Sequence, residues 1–245
     1  MRCIHQQIDS SEVSHFGITI RAGSRDEEEN EQGLAHFIEH TIFKGTKKRK
    51  PFHILSRLDA VGGEINAYTT KEETCIYGSF LNIYYERAID LISDILFNST
   101  FPENEIQKEK DVIIDEIHSY MDSPSEQIFD DFEDQLFNGH PIGRNILGTI
   151  ESVKSFQKEN IQEFVKRNYS PENIAISSVG NIKLSKFVKL CDKYFNQTFE
   201  NTNSIERVPF NAYKPSHNEL VKDTHQVHSM VGNMAYDMHN EKRRG

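Results

Sequence analysis

Cysteine is scarce: the 245 residues hold three, Cys3, Cys75 and Cys191, far apart and with no CxxC pair. So odd and scattered a set builds no disulfide framework and no thiolate zinc site. Positive charge is also short, with 28 Lys and Arg against 38 Asp and Glu and a formal charge of −10. A general nucleic-acid binder needs a clustered cationic face that releases phosphate counterions, and this composition argues against one. No run approaches the roughly 20 consecutive apolar residues of a membrane span. The opening MRCIHQQIDS lacks the basic-then-apolar order of a secretory signal. These absences point to a soluble chain in a reducing, cytoplasmic setting, with export left open because a trimmed terminus reads the same way. What is present, 36% hydrophobic and 27% charged residues, suffices for one large domain, or one domain and part of another.

The pattern along the chain predicts a strand at Val13–Ala22, then a charged loop, then a short buried helix between Gly33 and Gly45. A helix near Phe52–Ala60 stops at Val61-Gly62-Gly63. Two strands, Glu64–Thr70 and Glu73–Leu81, read as a hairpin. Helices are expected over Ile83–Asn98, from Pro102 to about Tyr120, and from Ser123-Pro124 to Leu136. After the glycine-rich loop Asn138–Thr149 come a helix at Ser155–Asn168, a strand at Asn173–Val179 and a helix at Lys183–Tyr194. Strands Glu219–Lys222 and Val227–Ala235 follow a polar linker. The whole reads as an α+β fold, a mostly antiparallel sheet with helices packed on it.

The chemistry concentrates in His36-Phe37-Ile38-Glu39-His40. On a helix, His36, His40 and Glu39 fall within an arc of about 100°. Leu34, Ala35, Phe37, Ile38, Ile42 and Phe43 cover most of the rest, and a helix apolar nearly all round is buried. Burying two imidazoles and a carboxylate on one face is costly unless something pairs with them. A divalent cation does so, and zinc suits two histidine nitrogens with an oxygen ligand and one open position. The spacing inverts the HExxH order. Ordinary hydrogen bonds to two buried histidines fit the same spacing.

A further ligand emerges downstream. In EIQKEKDVIIDEIHSY, Ile106, Ile113 and Ile117 make the apolar stripe, and Glu109 and Glu116, seven apart, nearly superimpose between Val112 and Ile113, set inside that core-facing stripe where they ask for a cation. Asp115 and His118 project away. Glu116 is therefore the candidate third ligand, and Glu109 is placed to orient a histidine; an acidic surface helix is the alternative. The segment Glu103–Asp134 carries twelve acidic residues and two basic ones. A solvated face accounts for that, and so does an acidic wall attracting cationic stretches of a polypeptide.

These residues resemble the inverzincin metallopeptidases of the pitrilysin, insulinase and mitochondrial processing peptidase type, in particular shorter bacterial, processing-peptidase-like members. The likeness runs through AGSRDEEENEQGLAHFIEHTIFKGT, GGEINAYTTKEETCIY, DVIIDEIHSYMDSP, NGHPIGRNILGTIESVKSF and NYSPENIAISSVGNI, in that order. It implies a zinc-dependent endopeptidase with one zinc ion held by His36, His40 and Glu116, Glu39 as general base and Glu109 as accessory glutamate. Asn66, Ala67 and Tyr68 match the family's substrate-binding edge strand, which takes an extended peptide by strand addition.

Family enzymes resemble clamshells of two homologous domains, and the second supplies an arginine and a tyrosine that grip the substrate. By this resemblance residues 1–196 form the N-terminal zinc-binding peptidase domain, 197–216 a linker, and 217–245 the beginning of a second domain. The partners implied are a peptide or unfolded polypeptide and a second domain or partner subunit. Without that half, the chain is expected to bind zinc and cleave weakly or not at all. Two other classes stay open: a non-catalytic scaffold subunit of the same fold, and an interaction domain whose zinc is closed off by a fourth ligand such as His5, His15, His53 or His140. His225 and His228, three apart on an expected strand, face opposite ways.

Overall fold

A computed structural model of the chain describes residues 1–196, 205–223, 225–237 and 240–244. Its centre is a five-stranded sheet built from β1 (Arg2–Gln7), β2 (Val13–Ile20), β3 (Glu64–Thr69), β4 (Thr74–Leu81) and β5 (Ile174–Gly180), in the order β1-β5-β2-β4-β3. Only the β1–β5 pair is parallel. Register sets Ile176, Ile18, Ile76 and Ala67 side by side across four strands, and all four are buried. Alternation of apolar and polar residues along β2 and β4 puts one face of the sheet against helices.

The helices are α1 (Leu34–Thr41), α2 (Pro51–Asp59), α3 (Tyr85–Asn98), α4 (Glu103–Met121), α5 (Pro124–Phe137), α6 (Ile150–Ser155), α7 (Lys158–Asn168) and α8 (Leu184–Phe195). In α3, Ala88, Ile89, Leu91, Ile92, Ile95 and Leu96 are all buried, and the helix packs on β2 and β4. One acid goes in with them. Asp94, 1% exposed, accepts from Thr46 Oγ1, Asn98 Nδ2 and Arg49. Those partners satisfy a charge that would otherwise be prohibitive to bury, and they pin the basic loop that leaves α1.

Three expectations are corrected. The edge strand β1 was not anticipated, because five of its six residues are exposed and RCIHQQ has no apolar alternation to read; parallel pairing with β5 holds it. The helix expected at Ser155–Asn168 is α7, which begins only at Lys158; an unanticipated short helix, α6, precedes it and ends where Phe156 turns into the core and meets Phe37 edge-on at 5.4 Å. No strand forms over Glu219–Lys222 or Val227–Ala235. A strand persists only with a ladder partner and a buried face, and Val221, Val227 and Val231 are almost fully exposed.

Part of the expected linker, 197–204, lies outside the described residues. From Ile205 the chain runs back over the domain with no helix or strand among its described residues up to Asp237, and a short 3-10 helix forms at Glu241–Arg244. Ile205 donates its N–H to Asn173, Arg207 pairs with Asp26, and Phe210 packs on Phe137. No helix among the described residues is long and apolar enough to cross a membrane.

Replacing Asp94 with Ala should lower the unfolding free energy by about 2–4 kcal/mol, because it orphans the buried side of Arg49 and Thr46. Urea titration followed by circular dichroism measures this, and Asp94→Asn, which keeps an acceptor, should recover part of the loss.

Candidate metal centre

Helix α1 is short, and six of its eight residues are buried, His36 among them. Its first turn is set from outside. Gly33 stands at the N-cap with φ of +92°, and a Cβ there would meet Leu147 O at 2.5 Å. Gly148 approaches the same spot, where a Cβ would lie 2.1 Å from Gln32 O. Only glycine admits both the left-handed turn and this contact of backbone with backbone. Glu27, itself buried, then accepts from the Gly33 and Ala35 N–H groups at 2.9 and 2.8 Å. A carboxylate on the orphan amides complements the positive end of the helix. Burial raises the Glu27 carboxyl's pKa, and those two amides pull it back down.

Across from α1 stands α4, and the two helices bring together the residues picked out in the sequence. One ligand atom each from His36, His40 and Glu116 lies within 4.8 Å of the others. The closest approaches are His36 Nε2 to Glu116 Oε1 at 3.8 Å and His40 Nε2 to Glu116 Oε2 at 3.5 Å. Such separations exceed an N–H···O hydrogen bond. They are close to the roughly 3.4 Å that separates two ligands of one tetrahedral zinc with bonds of about 2.0–2.2 Å. The rings meet edge to face at 4.6 Å between centroids, and His36 Nδ1 is buried with no hydrogen-bond partner. Burial, reinforced by His40, lowers the His36 pKa to about 4, so this imidazole is neutral at pH 7 and its lone pair is free to ligate. The donor set of two imidazoles and a carboxylate fits zinc. Among the described residues no fourth His, Cys, Asp or Glu joins it. His5, His15 and His140 instead bond Ile182 O, Ser79 Oγ and Val208 O, and His53 lies beside Phe52. His225 and His228 lie in the strandless stretch.

The two glutamates of α4 differ in setting. Glu109 is 7% exposed; its Oε2 lies 3.3 Å from His40 Nδ1 and its Oε1 2.6 Å from Lys44 Nζ. An acceptor at Nδ1 favours the tautomer that leaves Nε2 bare and turned to Glu116. Glu116 is exposed at the rim, not set within the buried stripe. Asp115 and His118 project to solvent as expected, while Ile106, Ile113 and Ile117 are buried.

Glu39 is half-buried. Burial raises its carboxyl's pKa, Thr69 and His40 draw it down, and Glu116 pushes it up. The Thr69 hydroxyl, on β3, lies against this carboxyl but falls short of full hydrogen-bond geometry. Tyr169 is buried close enough for the carboxylate to add to the rise that burial imposes on its phenol. Beside α1 runs β3, an outer strand of the sheet. Asn66 and Tyr68 are exposed on it and Ala67 is buried. The Ala67 N–H is accepted by Asn66 Oδ1 at 2.9 Å, so it stands outside the ladder with β4. In the acidic stretch, Lys71 pairs with Glu133 and Tyr120 donates to Asp130.

Sequence reasoning missed Glu27, Lys44, Thr69 and Tyr169. Nothing in local spacing marks Glu27, Thr69 or Tyr169, since each reaches the site through the fold. Lys44 had a signal: an isolated buried Glu109 calls for a cation, and Lys44 follows the histidine helix directly.

The comparisons with known proteins agree with this geometry. The family model described as insulinase, peptidase family M16, matches residues 2–150, and that of the peptidase M16 inactive domain matches 155–242. The chain is 34% identical over 229 residues to the "uncharacterized zinc protease YmxG" of Bacillus subtilis, covering 93% of this chain and 55% of that protein. It is 36% identical over 188 residues to a probable mitochondrial-processing peptidase subunit beta of Arabidopsis thaliana, covering 77% of this chain and 35% of that one. In fold it matches the crystal structure of pitrilysin with a TM-score of 0.76 at 20% identity, over 86% of this chain and 23% of that one. The chain spans about half the length of the Bacillus protein. It belongs to the insulinase peptidase family, M16. The second match begins at residue 155, yet β5 and α8 within it complete the same sheet and core as the first.

Replacing Glu109 with Gln should weaken zinc binding about 10- to 100-fold, the usual cost of losing a group that orients a ligand. Competition with a chromophoric chelator measures it. Asp115→Asn, on the exposed side of the same helix, should leave the affinity unchanged.

Proposed function

We propose that this chain is the zinc-holding half of an M16 endopeptidase that hydrolyses peptide bonds in peptides or unfolded polypeptides. The observation that carries the reading is the convergence of His36, His40 and Glu116 from two helices, with no fourth protein ligand among the described residues and Glu39 left beside them. A site built only for stability closes its tetrahedron with four protein ligands, whereas a catalytic one keeps a position open. Bound by His36, His40 and Glu116, zinc would polarise a scissile carbonyl and bring the pKa of a water toward 7.

The remaining work falls to the chain's own groups. Glu39 takes a proton from the attacking water and passes it to the leaving amine, and burial, which raises its pKa, suits it to exchange a proton in both directions. Glu109 fixes the His40 ring, and Lys44 compensates Glu109. The outer edge of β3 receives an extended peptide by strand addition, with main-chain hydrogen bonds giving affinity largely independent of sequence. An incoming strand meets the Ala67 N–H only by displacing Asn66 Oδ1, after which the Asn66 amide is free to bond the peptide main chain. The other half, a second homologous domain or a partner subunit, closes over the opposite side of the substrate.

Metal analysis and a quenched-peptide assay, run with and without a second homologous domain, test the reading. Glu39→Gln should retain one zinc per chain and lose at least about 100-fold in turnover, and His40→Ala should lose both metal and activity. A Glu39→Gln enzyme that cleaves at the parental rate in the complete assembly refutes the assignment.

A further inference from the structure

Two of the three cysteines, 188 positions apart in sequence, meet in the fold: Cys3 Sγ lies 4.0 Å from Cys191 Sγ. The contact follows from two matched periodicities. Along β1, Cys3 and His5 are two residues apart and share a face, about 6.6 Å from one to the next. On α8, Phe187 and Cys191 are four apart and also share a face, about 6 Å along the axis. The strand and helix are packed together. His5 lies over Phe187 at 4.9 Å between centroids, and its Nε2 bonds Ile182 O at 2.8 Å. With that pair seated, the next step of each element brings Cys3 onto Cys191. Cys3 is exposed to solvent and Cys191 is buried beneath it.

We propose that Cys3 and Cys191 are an oxidisable pair, a modification site at which a peroxide closes a disulfide that fastens β1 to α8. The exposed Cys3 thiolate attacks the peroxide oxygen, giving a sulfenic acid and hydroxide. The Cys191 thiolate then attacks the Cys3 sulfur and expels a second hydroxide. The two protons shed by the thiols turn both hydroxides into water, so hydrogen peroxide is reduced by two electrons as the thiols are oxidised by two. Bond formation asks the sulfurs to close from 4.0 Å to the roughly 2.05 Å of an S–S bond, a movement of about 2 Å shared between the two side chains. Burial lifts both thiols above their ordinary pKa values, so the thiolates are scarce at neutral pH and the peroxide is supplied in excess. The remaining cysteine is an internal control. Cys75 is buried and accepts a contact from Thr19 Oγ1. The pair sits on the sheet edge opposite β3, so closing it leaves the metal centre as it is.

The test treats the full chain with excess hydrogen peroxide, blocks remaining thiols with N-ethylmaleimide and maps peptides without reduction. The expected result is a monomer with Cys3 linked to Cys191 and Cys75 alkylated. The link is lost in Cys3→Ser and retained in Cys75→Ser. The oxidised chain should melt roughly 5–10 °C higher than the reduced one, since the bond closes a loop of about three-quarters of the chain, and dithiothreitol should reverse the gain. Oxidation of Cys3 to sulfinic acid without a link, a link through Cys75, or a bond only between two chains overturns the proposal. Cys3 is an exposed position, so its serine variant should fold normally; the wild-type peptide map decides the matter even if it does not.

Discussion

The structure turns on the cost of drying two imidazoles. His36 is buried and His40 half-buried on a helix whose other faces are packed, and His36 Nδ1 has no hydrogen-bond partner. Every arrangement around them answers that cost. Glu116 comes from α4 to face both rings, Glu109 takes the far nitrogen of one, and Lys44 offsets the charge that Glu109 brings in. Lys44, Glu109, His40 and Glu116 form one chain of contacts, in which the buried Glu109 carboxylate lies between a lysine ammonium and a histidine ring.

Position matters as much as charge, because ligand atoms must be held to within a fraction of an ångström. The eight residues of α1 have little helical stability of their own. Their direction comes from elsewhere: the Glu27 carboxylate at one end, the packed Gly33 and Gly148 backbones beside it, and the Asp94 cluster behind the loop that leaves it. Phe156 presses on Phe37 from below. The histidines are thus oriented by a frame that spans residues 27 to 156.

Much of this was legible in the sequence where periodicity and burial speak together. The strands β2 to β5 and the long helices followed from alternation and from punctuation by proline and glycine, and His36, His40, Glu109 and Glu116 were placed by helical geometry before any fold was known. Legibility failed where tertiary context decides. β1 buries almost nothing and exists because β5 offers it a ladder. The break before α7 exists because Phe156 is worth more in the core than a continuous helix is, and local propensity carries no trace of that. The segments Glu219–Lys222 and Val227–Ala235 show the converse, an alternation of strand type that finds no neighbour to pair with among the described residues. Residues such as Tyr169 and Thr69 reach the carboxyl of Glu39 through three-dimensional closure alone.

The outermost strand β3 has one more consequence. Unsatisfied amides on a sheet border invite other chains, and proteins often blunt such borders with charge or proline. Here the border carries a removable cover, since Asn66 Oδ1 sits on the Ala67 N–H. A side-chain oxygen on its own neighbour is held by a single bond and swings aside by rotation about one or two torsions. Asn66 is thus a cover that the border carries on its own strand, removable without any movement of the backbone.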